Sequence, residues 1–353
     1  SQKWHPWLAD ASTAFLQGKQ PDGERPMALD MWPPKDGIIA DTPEWKAELY
    51  RIKSNIYGLS NAPRLWCVEV QTRLLALGYE QHGFDKMFFI KRDSEGELVS
   101  VILVYVDDFI GVYRSDYNLQ EVKDAFTWGT FEHLLAYKPV TFKGKQLTVF
   151  LEGGPYKMKV DQAEFIDGLG KLKLSKGRLA GPPLLTEAER GEFRSIAGSL
   201  QWLCGQSRPE LAPAVSLSNR GANTTVEDLR TLYQTAEFAT ATKDAGFVLN
   251  DAPFNKASTV VTYSDSSWAN CEDCRSQFGA VVLLCGPKAS QEVSKGFLLD
   301  WRSGRSTRVC RSTLAAEASA ADEACDRGSF LNMFMSELLY NVPAHKVGPK
   351  LLH

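Results

Sequence analysis

Residues 103 to 113 read LVYVDDFIGVY, and no other stretch limits the architectures open to this chain so tightly. Two apolar, β-branched runs flank a pair of adjacent aspartates. Neighbouring carboxylates repel each other and resist losing their water, so the pair belongs where the chain reverses and not inside a continuous strand. Just upstream, MFFIKR from Met87, the polar segment DSEGE and then LVSVILVY predict a first hairpin. A second tight reversal at Val106, Asp107 and Asp108 leads into FIGVY. Two consecutive hairpins place the aspartates at an exposed tip on a well-buried antiparallel sheet.

Before the hairpins, PRLWCVEVQTRLLALG reads as a helix, with Pro63 in its first turn and Gly78 ending it. Leu65, Trp66, Val70 and Leu74 form an apolar stripe at helical spacing and are assigned to the core. The middle third is expected to alternate helices with basic loops, broken by GPP at 181 to 183. GEFRSIAGSLQWLCGQSRPELAPAVSLSNRG and TVEDLRTLYQTAEFATATKD are the predicted helices there. Near Ala257 the period changes. STVVTYSDSSW and SQFGAVVLLCG read as paired strands, followed by a long Ala-rich helix from about Thr313.

A chain of 353 residues has room for two or three domains, and 44% apolar with 24% charged residues is ordinary for a soluble protein. There is no run of about 18 apolar residues and no basic-then-apolar N-terminus, which points to an intracellular protein, cytoplasmic or nuclear. The missing initiator Met suggests a piece of something longer. Seven cysteines in such a chain are expected as free thiols, and one isolated CxxC, Cys271 and Cys274, argues against zinc. A net charge of −3 gives no global argument for nucleic-acid binding. Two local stretches do: Lys138 to Arg178 holds nine Lys and Arg against four acids, and Arg302 to Arg311 holds four Arg and no acid. A solvated basic face is an equal reading of each.

Two acids between apolar strands suggest a bound divalent cation, and metal-assisted phosphoryl chemistry needs carboxylates from more than one segment. WLADASTAFLQG supplies another. Asp10 follows an apolar pair and precedes Ala, Ser, Thr and Ala, small residues that let a triphosphate approach the backbone; Phe15 is placed to wall that pocket. Alone, Asp10 would read as a helix N-cap. Near the other end, Asp265 ends a strand in VVTYSDSSWAN and Glu317 lies in STLAAEASAADEACD. At about 100° per residue, Ala320, Ala321 and Ala324 lie within roughly 60° of Glu317. That face is expected to pack on the sheet and aim Glu317 inward, with Asp322, Glu323 and Asp326 solvated on the far side.

ADASTAFLQG, YGLSNAPRLW and YVDD, in that order, resemble the reverse transcriptase of copia-type retrotransposons. The resemblance continues through FRSIAGSLQWL, SRPELAPAVSLSNR and YSDSSWAN. It implies an α+β fold: a polymerase palm of antiparallel sheet with helices and partial fingers over 1–135, thumb or connection helices over 136–255, and a C-terminally truncated ribonuclease H-like α/β domain over 256–353. It also implies two-metal nucleotidyl transfer by an RNA-directed DNA polymerase within a Pol polyprotein. Asp10, Asp107 and Asp108 match the catalytic metal ligands, and the backbone carbonyl of Ala11 would complete one coordination sphere. Phe15 matches the aromatic gate against a ribose 2′-hydroxyl. Gly58, Ala62 and Pro63 match the loop and helix start that support template and incoming nucleotide, with Ser60 and Asn61 in place of the usual Lys-Gln. Phe142 and Gly144 match a stretch beyond the palm loosely. Asp265 and Glu317 match the first two ribonuclease H acids, with Ser267 where the family carries another, and the family's next catalytic Asp would lie beyond VGPKLLH. The cofactor implied is Mg²⁺, or alternatively Mn²⁺; the partners are an RNA template, a DNA primer, dNTPs and an RNA–DNA hybrid. The rival from another class is a catalytically inactive remnant serving at most as a nucleic-acid-binding scaffold.

Overall fold

In the computed structural model the described residues are 4–19, 29–32, 49–52, 55–153, 156–169, 174–249, 255–271, 273–289, 291–343 and 346. The terminal VGPKLLH lies outside them. The fold mixes helices with antiparallel sheets. Contacts divide the chain into two units, Ser1–His133 and Leu134–His353.

In the first unit the chain runs through strand β1 (Trp4–Ala11), the short helix α1 (Ala14–Gln17), β2 (Leu29–Met31), β3 (Tyr50–Ile52) and helix α2 (Ala62–Ala76). Then come β4 (Glu80–Gln81), β5 (Phe88–Arg92), β6 (Leu98–Tyr105), β7 (Asp108–Arg114), α3 (Gln120–Ala125) and β8 (Trp128–His133). β2 and β3 pair with each other, and the rest form a six-stranded sheet in the order β4-β5-β6-β7-β1-β8. Each neighbouring pair is antiparallel. Both hairpins stand where the alternation put them. Asp93 turns the first by accepting from the amides of Glu95 and Glu97 through Oδ1, with Gly96 at φ +82°.

The α2 stripe of Leu65, Trp66, Val70 and Leu74 is buried, as its spacing requires, and Trp66, Val70 and Leu74 pack with Phe89, Ile102 and Phe109 from the sheet. Each such side chain contributes roughly 1.5–3 kcal/mol when fully buried. Trp7 lies wholly inside and stacks on Phe131 with centroids 4.8 Å apart. Its cross-strand partner is Gly111, where a Cβ would come within 2.5 Å of the indole. A glycine in the middle of a strand is therefore the space the tryptophan fills.

The second unit opens with β9 (Val140–Phe142), β10 (Lys145–Leu151) and β11 (Tyr156–Asp161), which join β12 (Phe247–Leu249) in the order β12-β11-β10-β9. Between β11 and β12 lie α4 (Ala163–Asp167), α5 (Lys176–Leu179), α6 (Glu187–Gln206), α7 (Ala212–Ser218) and α8 (Val226–Ala241). The expectation of helices and basic loops is corrected here, because much of the basic stretch is strand. Its lysines are also engaged: Lys157 with Glu152 at 2.7 Å and Lys159 with Asp161 at 2.9 Å. A second correction concerns the long predicted helix from Gly191. It breaks after Gln206 into a 3₁₀ turn over Pro209–Leu211, where two prolines, Pro209 and Pro213, remove amide donors. Two capping boxes start α6 and α8, Thr186 with Glu189 and Thr225 with Asp228.

Three further strands, β13 (Thr259–Ser267), β14 (Gln277–Cys285) and β15 (Gly296–Arg305), form an antiparallel sheet in that order. Helix α9 (Thr313–Tyr340) covers one face with Ala316, Ala320, Ala324 and Gly328. A Cβ on Gly328 would come within 2.4 Å of Thr262 Cγ2, so the glycine sets how close helix and strand approach. The other face meets the helical cluster: Trp301 Nε1 donates to the Cys204 carbonyl at 2.7 Å, and Trp301 meets Phe247 edge-on.

Candidate active site

The end of β1 and the β6–β7 hairpin build the site. Cross-strand register sets Asp10 directly opposite Asp108, and the amide of Ala11 donates to the Asp107 carbonyl at 2.8 Å. Tyr105 pairs with Asp108, which leaves Val106 and Asp107 as the two-residue connection. Val106 adopts φ +59°, a left-handed conformation that β-branched residues rarely take. Its carbonyl accepts from Trp66 Nε1, which ties the strained turn to the buried stripe of α2.

Carboxylate oxygens of Asp10, Asp107 and Asp108 all lie within 4.8 Å of one another, each residue half-buried. Among the described residues this is the one group of three such ligands that converges. Burial, and then the charge of Asp107, raise the Asp10 carboxyl above its ordinary range. A cation among the three would relieve both effects. An all-oxygen, all-carboxylate donor set with solvent access suits a hard divalent ion, so the residues fit a bound metal.

Gly129, in β8, has no motif to announce it. An alanine Cβ there would come within 2.7 Å of Asp10 Oδ2. The β1–β8 register also shifts between Asp10 and Ala11, a bulge at the aspartate-bearing end of the strand. Gln17 was equally silent in the sequence. Its Nε2 donates to the carbonyls of Ser12 (2.7 Å) and Thr127 (2.8 Å), and its Oε1 accepts from the Thr127 amide at 3.1 Å. That clamp fixes the turn that follows Asp10.

Ala11 is buried and engaged through its backbone. Phe15 is half-buried on α1 and meets the exposed Tyr57 with ring centroids 4.9 Å apart. Gly58 is exposed at φ +94°, a conformation that favours glycine, and Pro63 is exposed in the first turn of α2. Ala62 is wholly buried, so its side chain supports the helix start from inside. Trp4 and Trp32 are exposed, while Trp7 is core.

The second pair of acids is placed differently from the helical-face expectation. Glu317 is exposed, although Ala320, Ala324 and Gly328, which lie within about 60° of it around the helix, are buried. Glu323, expected in solvent, instead bonds Arg302 at 2.7 Å and Arg327 at 2.9 Å on the sheet side. The small-residue stripe at every fourth position, fitted over Thr262, decides the rotation of α9. Thr262 faces that helix, and the β13–β14 register is unbroken from Thr259 to Ser267. Strand alternation therefore carries Asp265 to the opposite face from α9. Asp265 and Glu317 project on different sides of the sheet.

Residues 1–153 match the family model of reverse transcriptase (RNA-dependent DNA polymerase). Over 353 aligned residues the chain is 25% identical to the retrovirus-related Pol polyprotein from transposon RE2 of Arabidopsis thaliana, covering 96% of this chain and 22% of that protein. It is 23% identical to the corresponding polyprotein from transposon RE1, also of Arabidopsis thaliana, with the same 96% and 22% coverage. Against the polyprotein from transposon TNT 1-94 of Nicotiana tabacum it is 26% identical, over 60% of this chain and 16% of that one. The chain thus spans 22% of the length of the first two relatives. Among solved structures, prototype foamy virus protease–reverse transcriptase is similar at 11% identity and a TM-score of 0.19, over 92% of this chain and 55% of that one, too distant to bear on the fold. No helix among the described residues is long and apolar enough to cross a membrane. With the family match lying over the aspartate-bearing unit, the resemblance read from the sequence is shown: residues 1–153 match the reverse transcriptase model, and the chain is similar to the Pol polyproteins of copia-type retrotransposons.

Proposed function

We propose that this chain carries the palm of an RNA-directed DNA polymerase that extends a DNA primer on an RNA template with dNTPs. The observation that carries the reading is the convergence of Asp10, Asp107 and Asp108, from two separate segments, to within 4.8 Å. Residues 1–135 would be palm with partial fingers and 136–255 thumb or connection. Asp10 and Asp107 would hold Mg²⁺ or Mn²⁺, with Asp108 beside them and the Ala11 carbonyl completing a coordination sphere. Such ions supply activation of the primer 3′-hydroxyl and neutralisation of charge on the leaving pyrophosphate.

The chain's own share is positioning and electrostatics. The Val106 turn, held by Trp66, presents the hairpin acids in a fixed relation to Asp10. The Gln17 clamp holds α1, and with it Phe15, against the segment before β8. Phe15, backed by Tyr57, is the aromatic wall proposed to collide with a ribose 2′-hydroxyl. Gly58, Ala62 and Pro63 would line the approach of template and nucleotide.

A specific observation favours a second reading for residues 256–353. Because Asp265 and Glu317 project on different sides of the sheet, the proposed ribonuclease H-like domain would act there as a scaffold without hydrolysing an RNA–DNA hybrid. Primer extension on poly-A RNA with Mg²⁺, comparing this chain with Asp107→Asn, tests the polymerase. Synthesis by the parent that the variant loses supports the palm assignment; equal synthesis by both removes it. A labelled RNA–DNA hybrid incubated with the same preparations is expected to stay intact.

A further inference from the structure

A second place on the molecule gathers charge of one sign, within the unit Leu134–His353. Arg190, Arg194 and Gln201 recur along one face of α6, and this face, α7 and the end of β15 enclose an open cavity of about 780 Å³. Phe193 and Val215 give it an apolar floor, and Arg305 enters from β15. Three arginines line it and no aspartate or glutamate does.

Two of the guanidiniums are oriented by backbone carbonyls. Arg305 Nη2 donates to the Asn219 carbonyl at 2.5 Å, and Arg190 Nη1 to the Ala222 carbonyl at 3.2 Å. Backbone carbonyls orient an arginine and leave its full charge in place. Two carboxylates that are not part of the lining form ion pairs with it: Asp273 at 3.6 Å from Arg305, and Glu187, on the exposed side of α6, at 3.6 Å from Arg194. The mouth is clear, because a Cβ at Gly198 or Gly221 would meet nothing within 4 Å.

We propose that this cavity binds phosphate groups, from a nucleic-acid backbone or from a free phosphate anion. Guanidinium forks match phosphate oxygens in pairs, and pre-oriented forks lose little freedom on binding. A volume of this size admits more than one phosphate. The site is separate from the aspartate cluster and does not depend on the polymerase reading.

The test uses the full chain with two probes, a fluorescein-labelled oligothymidylate followed by anisotropy across a NaCl series, and sodium pyrophosphate followed by calorimetry. The variant is the double substitution Arg190→Gln, Arg194→Gln. For a single strand, each phosphate contact adds about 0.7 to the slope of log affinity against log salt, so losing two is expected to lower it by about 1.4. A lower slope identifies a polynucleotide backbone as the ligand. An unchanged slope with pyrophosphate binding lost identifies a free anion. If the double variant melts abnormally, Arg194→Glu, on an exposed helix position, gives the same readouts with the sign of one charge reversed. A folded variant equal to the parent with both probes overturns the proposal, as does a parent that binds neither.

Discussion

Replacing Gly129 by alanine separates what the fold needs from what the carboxylates need. The new Cβ would sit 2.7 Å from Asp10 Oδ2, where ordinary van der Waals contact needs about 3.4 Å or more. The overlap of roughly 0.7 Å falls on the far end of a side chain, not on backbone, so the strand itself need not move. The main-chain bias runs the other way, since alanine in a strand interior is favoured over glycine by roughly 0.5–1 kcal/mol. Melting temperature should therefore hold or rise slightly. The displaced oxygen belongs to the cluster on which the proposed chemistry rests, and a misplacement near 1 Å costs on the order of a hundredfold in rate. Mn²⁺ affinity, read by electron paramagnetic resonance, should fall in the same variant, and primer extension should fall about a hundredfold. A variant that melts like the parent and keeps both Mn²⁺ binding and synthesis within a fewfold would refute the view that Gly129 leaves space for a metal-ligating Asp10.

Phe15→Ala should relax discrimination against ribonucleotides by up to about a hundredfold, the most that steric rejection of one hydroxyl supplies; an unchanged dNTP-to-rNTP preference would make Phe15 core. Asp10→Asn should melt higher than the parent at pH 7 without metal, because a carboxyl raised by burial and by Asp107 opposes folding while ionised. The sign follows from the raised folded value: the advantage is present above it and shrinks as pH falls through it. Added Mn²⁺ should stabilise the parent by about 2.7 kcal/mol at a hundred times its dissociation constant, and the variant less, as thermal melts would show. Gly111→Ala should lower stability by roughly 1–3 kcal/mol in urea unfolding, since its Cβ would come within 2.5 Å of the Trp7 ring.

The hairpin acids and the α2 stripe were legible because each is local. Alternation of period two and a Pro–Gly pair bracketing a helix write their geometry in consecutive residues. The approach of Asp10 to the hairpin came from likeness to a family, since period alone does not say which strand will lie beside β7. Gly129 and Gln17 were illegible for a related reason: their partners, Asp10 and Thr127, are 119 and 110 positions away in sequence. On the expected face of α9, Ala320 and Ala324 are buried as their spacing implies, while Ala321 and Glu317 are exposed. The shape of the sheet, with Thr262 under Gly328, chose among them, and period alone does not carry that information.

The three-stranded sheet has a further consequence. Among the described residues β13 has β14 on one side and no strand on the other, so alternate residues of TVVTYSDSS offer open amides and carbonyls to any extended segment that meets them. Such an edge invites self-association, and a charge within it opposes that. Asp265, exposed near the end of this strand, would repel a second copy laid parallel and in register against the same edge. The residue that resembles a nuclease acid would then also oppose one molecule's sheet growing into the next.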